Sequence, residues 1–208
     1  MAEVPRTQYY CAASLDGFIA DPDDGIGWLT GYEGAFEGEG LEPGPMADGG
    51  SYSRFYGGIG ALVSGSVTYE FVLAHTAEGA PWPYAGKPYW VLSSRDLPLP
   101  QAEGADVRVA NADPADLHEE MLAAADGGNL WVVGGGGVAS RLADAGLLDE
   151  VLVTIVPVVL GAGKPLFREP VPGAPLRLLG TEVYGNGMVE LRYELAPGAD
   201  RGPASAYG

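Results

Sequence analysis

Four consecutive glycines, Gly134 to Gly137, stand between an apolar run, Leu130-Trp-Val-Val133, and the segment Val138-Ala-Ser-Arg141. A strand that runs directly into glycines and then into a helix can hold an anion. Without a Cβ the backbone comes close to a ligand, and the first N–H groups of the helix have no partner of their own and favour a phosphate. A plain turn between two core elements needs one or two glycines. Four in a row carry an entropic cost that such a turn does not require, which favours a phosphate cradle. Two further stretches offer matching chemistry: Gly65-Ser66-Val67-Thr68, a strand end leading into a helix, and Ser93-Ser94-Arg95, at the end of another strand. Backbone N–H groups at two helix starts, the hydroxyls of Ser66, Thr68, Ser93 and Ser94, and the Arg95 guanidinium could together hold an extended dinucleotide with three phosphate groups. Taken singly, each hydroxyl also reads as a helix cap or turn former.

Other chemistries find less support. The two histidines, His75 and His118, have no second His or Cys at ligand spacing, so no protein-built metal site is expected. No G-x-S-x-G elbow exists; His118 reads as lying on the solvated flank of a helix and His75 as a capping or surface residue near a helix end. Gly134, Gly136 and Ala139 fit G-x-G-x-x-A, but a doubly wound nucleotide fold places that fingerprint in its first βα unit, and here it comes late with no helical crossover after Asp149. A short-chain dehydrogenase needs Tyr-x-x-x-Lys, and Lys87 and Lys164, the only lysines, have no Tyr four residues before them.

The elements that must position these residues follow from patterning. Thr7 to Ser14 reads as a strand buried on both faces, Phe18 to Ala20 as its brief resumption after Asp16-Gly17. Residues 21–50 form a long irregular stretch containing Ile26, Trp28, Leu29 and Phe36, which suits a lid over a site. A short helix over 51–56, capped by Ser51, precedes a strand at Ile59 to Ser64 and a helix at about Val67 to His75. Strands follow at Pro88 to Ser94 and Asp106 to Ala110, then a helix opened by Asp113-Pro114, the Leu130 strand, and a helix closed by Gly146. The β-branched run Glu150 to Leu160 contains Pro157, which should mark an edge or a bulge. Gly185-Asn-Gly187 joins two last strands as a hairpin, and the alternation of Val189, Leu191, Tyr193 and Leu195 with Glu190, Arg192 and Glu194 implies a half-buried strand with its charges outward.

At 208 residues and 47% hydrophobic content the chain is expected to build one domain over 7–196, with 197–208 as a flexible tail. A formal charge of −17, with only eleven Lys and Arg, argues against nucleic acid as a partner. One cysteine, Cys11, no apolar signal core and no window of about eighteen apolar residues point to a soluble, cytoplasmic protein without a membrane partner.

In order and spacing, Ser14-Leu-Asp-Gly-Phe-Ile-Ala20, Gly65-Ser-Val-Thr-Tyr-Glu70, Val133-Gly-Gly-Gly-Gly-Val138, Ala145-Gly-Leu-Leu-Asp-Glu-Val151, Val156-Pro-Val-Val-Leu-Gly-Ala-Gly163 and Pro165-Leu-Phe167 resemble the dihydrofolate reductase superfamily, and within it the riboflavin-biosynthesis reductase branch. The resemblance spans about Thr7 to Leu195. It implies an α/β, three-layer fold with a mixed, mainly parallel eight-stranded sheet, about four helices and a C-terminal antiparallel hairpin. It implies NADPH as cofactor, a small heterocyclic (pterin- or pyrimidine-like) or carbonyl substrate, and a homodimer. Ala12 and Ile19 would approach the nicotinamide, Gly65, Ser66, Val67 and Thr68 with Gly134, Gly135, Gly136, Gly137 and Val138 the pyrophosphate, and Ser93, Ser94 and Arg95 the adenosine 2′-phosphate. A cis peptide is implied between Gly134 and Gly135. Thr154 matches a threonine facing the substrate pocket, and Asp48 is the nearest acid to the carboxylate that folate reductases supply. Many relatives carry Arg where this chain has Ser66, which leaves the preference for NADPH over NADH open. Trp28, Phe36, Tyr52, Phe55 and Tyr56 could stack on a ring substrate or serve as core. A nucleotide-binding protein without catalysis remains the alternative reading.

Overall fold

Neighbouring strand residues send their side chains to opposite faces, and here both faces are covered. Tyr9, Ala61, Val63, Trp90, Leu130, Val132, Val151 and Val153 lie in one buried cluster, while Tyr10, Leu62, Tyr89, Val91, Trp131 and Leu152 lie in another. A sheet whose inner strands bury apolar residues on both faces must be the middle of three layers. The computed structural model describes residues 4–34, 41, 44–47, 50–76, 79–171 and 175–195. The elements run β1 (Thr7–Ser14), β2 (Phe18–Ala20), α1 (Gly27–Thr30), α2 (Ser51–Gly57), β3 (Ile59–Gly65), α3 (Ser66–His75), β4 (Pro88–Leu92), β5 (Asp106–Ala110), α4 (Pro114–Ala124), β6 (Asn129–Gly134), α5 (Gly136–Asp144), β7 (Glu150–Val156), β8 (Lys164–Pro165), β9 (Arg177–Val183) and β10 (Val189–Glu194).

Eight strands form the central sheet in the order β5-β4-β3-β6-β1-β7-β10-β9, and β2 pairs with β8 in a separate two-stranded ribbon. Pairing is parallel from β5 across to β7 and antiparallel at β7-β10-β9. The expected mixed, mainly parallel sheet with its terminal hairpin is therefore present, with five helices among the described residues because a single turn, α1, forms inside the 21–50 stretch. Asp113 caps α4 as expected, accepting from the Ala115 N–H at 2.9 Å. Pro157 marks neither an edge nor a bulge: β7 is an internal strand between β1 and β10 and ends at Val156, one residue before the imide nitrogen that could not donate. Phe36 and the proposed tail lie outside the described residues. Among the described residues no helix is long and apolar enough to cross a membrane.

His118 is not on a solvated flank. It is buried in α4, with Nε2 2.7 Å from the Thr7 hydroxyl. Burial lowers its pKa, and Asp149 and Glu119 oppose that only in part. The unfolded chain therefore takes up this proton first as pH falls through the ordinary histidine value, about 6.5. Stability from the neutral imidazole is complete above that value and is lost below it. Urea midpoints measured from pH 7 to pH 5 should fall more steeply for the wild-type chain than for His118→Gln; parallel slopes would show that the imidazole contributes nothing to the pH dependence.

Candidate active site

In open α/β sheets ligands bind at the carboxyl ends of the strands, where the chain order reverses. Here β6 sits between β3 and β1, and a cleft of about 1600 Å³ opens over the ends of these strands. Of the residues singled out from sequence, Ala12, Ile19, Gly65, Ser66, Val67, Thr68, Gly134, Gly135, Gly136, Gly137, Val138 and Thr154 all line it. They come from β1, β2, the β3–α3 junction, the β6–α5 junction and β7, and only the tertiary fold brings them to one wall.

Two of the glycines allow close contact, Gly134 with a side chain and Gly136 with main chain. A Cβ on Gly134 would sit 2.7 Å from the Thr68 hydroxyl, and one on Gly136 would sit 2.5 Å from the Pro165 carbonyl oxygen. Gly135 turns the chain with φ 94° and ψ 95°, a left-handed conformation that side chains disfavour. A cis peptide at Gly134–Gly135 is not used: none occurs among the described residues, and positive φ at Gly135 makes the turn with trans bonds. Gly137 differs, because a Cβ there meets no atom within 4 Å and the residue borders the cleft. Both α3 and α5 begin at this wall with glycine at the N-cap, Gly65 and Gly135, and neither has a side-chain cap. Two sets of unsatisfied helix N–H groups thus open on one cavity, the arrangement that an extended diphosphate requires.

Ser93, Ser94 and Arg95 are not in the wall, which reaches only Leu92 at the end of β4. The Ser93 hydroxyl accepts from the Arg95 N–H at 2.9 Å, and the Arg95 guanidinium makes a forked pair with Glu70 of α3 at 3.0 and 2.7 Å. Cations that sequence reading did not single out do line the cleft: Arg141 on α5, Lys164 on β8 and Arg168 beyond it. Arg141 reaches Asp113 at 3.3 Å and Lys164 reaches Asp24 at 3.5 Å, while the Arg168 side chain has no ion-pair partner among the described residues. No pattern in the sequence marks Arg168; it enters the site because the chain after β8 passes over the start of α5, where its N–H donates to the Ser140 hydroxyl at 3.0 Å.

Asp48 lies outside the described residues. A different carboxyl group stands beside the cleft. Glu190, expected to point outward from β10, is 6% exposed, and its Oε2 accepts from the hydroxyls of Tyr10 at 2.6 Å, Ser51 at 2.9 Å, Tyr184 at 3.1 Å and Thr154 at 3.3 Å. Tyr10 and Thr154 line the cleft. Burial first, and the bond to Glu190 second, push the Tyr10 phenol well above its ordinary value. Ser51 was expected to cap α2; the N-cap is Gly50, and the Ser51 hydroxyl is committed to this cluster instead. Strand alternation assigns Glu190 to a face correctly but is silent on what covers that face, which is α2. Cys11 also borders the cleft, and burial pushes its thiol up to about 12.

Tyr52 lines the cleft beside Trp131. Phe55 and Tyr56 instead meet the Trp131 ring edge-on behind that wall, at 5.4 and 6.3 Å between centroids, and so act as core. Trp28 packs with Val156, Tyr184 and Met188.

Comparison with known proteins agrees with this architecture. The family model of the RibD C-terminal domain matches residues 70–190. The protein YwjB of Bacillus subtilis (strain 168), itself uncharacterized, is 35% identical over 189 residues, covering 90% of this chain and 97% of its own length. Among solved structures, a candidate riboflavin biosynthesis protein from Shewanella sp. PV-4 superposes with a TM-score of 0.70 at 25% identity, covering 91% of this chain and 98% of that one. A Thermotoga maritima diaminohydroxyphosphoribosylaminopyrimidine deaminase/5-amino-6-(5-phosphoribosylamino)uracil reductase has a TM-score of 0.57 at 15% identity, with 93% of this chain and 57% of that one covered. An Enterococcus faecalis dihydrofolate reductase complexed with NADP(H) has a TM-score of 0.50 at 22% identity, covering 91% of this chain and 94% of its own, and shows the shared fold alone. The family match begins inside α3 and runs through the glycine turn to Glu190, and the Bacillus relative extends the likeness over nine-tenths of the chain: it belongs to the RibD C-terminal domain family, on a dihydrofolate-reductase-like fold.

Proposed function

We propose that this chain is an NADPH-dependent reductase that transfers hydride to a small pterin- or pyrimidine-like heterocycle or a carbonyl compound. The observation that carries the reading is the pair of uncapped helix starts, at Ser66 and Gly136, opening on one glycine-walled cleft. The residues present fit the cofactor. Gly137 leaves the wall open where a diphosphate would lie, and Arg168 and Lys164 offset charge in a chain that is otherwise strongly acidic. Bound NADPH would supply the hydride. The chain's part is to hold the dinucleotide along α3 and α5, to face the nicotinamide end toward Ala12 and Ile19, and to press the substrate ring against Tyr52 and Trp131 beside Thr154. We also propose a cytoplasmic homodimer; the exposed Leu178 and Val183 of edge strand β9 are an apolar face that a second copy would cover.

Fluorescence titration of the purified protein with NADPH and NADH tests the cofactor, and oxidation of NADPH in the presence of pterins, aminopyrimidines, quinones and ketones tests the reaction. Failure to bind either dinucleotide would overturn the reading; binding without turnover on any substrate would favour a nucleotide-binding protein without catalysis. The choice between cofactors has its own test. Ser66→Arg places a guanidinium at the start of α3, within the cleft wall, and should raise the NADPH-to-NADH affinity ratio at least about tenfold, the effect of about 1.4 kcal/mol, if its long side chain reaches the 2′-phosphate; an equal gain for both cofactors would confine it to the pyrophosphate that they share. Arg95→Ala should lower that ratio if Arg95 leaves Glu70 for the 2′-phosphate, and an unchanged ratio would remove the residue from the site.

A further inference from the structure

Two cavities meet at one buried carboxyl group. The main cleft is bordered by Tyr10 and Thr154, and a second groove of about 470 Å³ on the other side of the cluster is bordered by Ser51, Glu190, Arg54, Glu182 and Arg192. Between them the hydrogen bonds are continuous: Tyr10 to Glu190 at 2.6 Å, Glu190 to Ser51 at 2.9 Å, and Ser51 to Tyr184 at 2.6 Å. Each hydroxyl is both donor and acceptor, so the cluster is satisfied in either protonation state of Glu190. The carboxylate accepts from the hydroxyls around it, and the carboxylic acid donates to one of them while accepting from the rest. Packing alone does not call for this arrangement, since an apolar residue opposite Thr154 would fill the space without a buried acid.

Resting on the reductase reading above, we propose that Glu190 is the proton store for the reduction, passing a proton to the substrate through Tyr10 and refilling from solvent in the outer groove. The balance is closed. The electrophilic carbon of a C=N or C=O bond gains a hydride from the reduced nicotinamide, the π pair moves to the heteroatom, and that atom takes the Tyr10 proton. Tyr10 takes one from Glu190, and Glu190 takes one from solvent. Tyr10 is then the catalytic residue and Glu190 the positioning and recharging one. The titratable and charged groups facing Glu190 are Tyr10 on β1 and Tyr184 beyond β9. Glu182 on β9 lies behind Tyr184 at 3.4 Å, with Arg54 of α2 pairing it at 2.8 Å; Arg192 on β10 is committed to Glu150.

Glu190→Gln keeps shape and hydrogen bonds but cannot store a proton. Expected is a fall in kcat of about 10²-fold or more, the usual size of a general acid's contribution, with KM for the substrate, the NADPH Kd and the melting temperature near wild type. Tyr10→Phe should match it, and Ser51→Ala should lose less. A second readout needs no turnover: the infrared band of the Glu190 side chain, identified by its loss in Glu190→Gln, should shift in Tyr10→Phe, which removes the 2.6 Å hydrogen bond. Wild-type kcat and pH profile in Glu190→Gln, or a Glu190 band unmoved in Tyr10→Phe, would overturn the proposal. A wild-type protein that oxidises no NADPH would overturn the reductase reading instead, while the infrared result would still report on Glu190.

Discussion

Gly137→Val should fold as the wild-type chain does and bind NADPH at least about 30-fold more weakly, a loss of about 2 kcal/mol. The two halves of that result have separate causes. Gly137 is in the first turn of α5, its φ is not in the left-handed region, and a Cβ there meets no protein atom within 4 Å, so the fold has no reason to object. What the side chain does meet is the cleft, and there it holds a diphosphate away from the helix N–H groups by roughly the length of a methyl group. Gly136→Ala, one residue earlier, should do the reverse. Its Cβ would lie 2.5 Å from the Pro165 oxygen and 2.8 Å from the Leu166 oxygen, both main-chain atoms that cannot rotate aside. A cost of about 2–3 kcal/mol follows from overpacking, or a melting temperature about 5–10 °C lower for a chain of this size. Gly135→Val is a poorer probe, because φ 94° mixes backbone strain with any effect on the ligand. Calorimetric melting and a fluorescence Kd on the same preparations separate the outcomes. Unchanged NADPH affinity in Gly137→Val would remove the glycine turn from the cofactor site.

Stripping the cations from Glu150 should be among the most damaging changes to stability. Glu150 is fully buried, and Arg6, Gln8 at 2.9 Å and the forked Arg192 at 2.9 and 2.7 Å surround its carboxylate. This knot ties β1, β7 and β10 in the register that sets Ala12 beside Thr154 and Thr154 beside Glu190, so it underlies that side of the cleft. An uncompensated buried charge costs about 3–5 kcal/mol, and that is the loss expected for Arg6→Met with Arg192→Met. Glu150→Gln should cost clearly less, because Arg6 and Arg192 are each nearly half exposed and can turn to water once the acid is gone. Urea unfolding of the variants decides. A larger loss for Glu150→Gln than for the double arginine variant would mean that the arginines left without the carboxylate cost more than the carboxylate left without them, and would overturn this account.

Much of this molecule is readable without coordinates, for a local reason. Gly135 announces a turn because the main chain there needs a positive φ that a Cβ disfavours, and that requirement acts within a few residues. The Asp113 cap, the hairpin at Asn186-Gly187 and the doubly buried β1 are equally local, and all are found where the residues imply. What the sequence determined was thus most of the strand and helix order, the glycine turns after β3 and β6 and the likeness to the reductase family. It did not determine who stands opposite whom. Alternation gave Glu190 a face and suggested solvent; α2 and Tyr184 cover that face, and a surface charge becomes the buried centre of a hydroxyl cluster. Arg95, placed by its order in the chain at a phosphate, is held by Glu70 one helix away, while Arg168, unmarked by any motif, is carried into the cleft by the chain after β8. Turn chemistry is a property of neighbours along the chain, whereas burial and charge pairing depend on residues tens of positions apart, and only the folded sheet brings those within reach of each other.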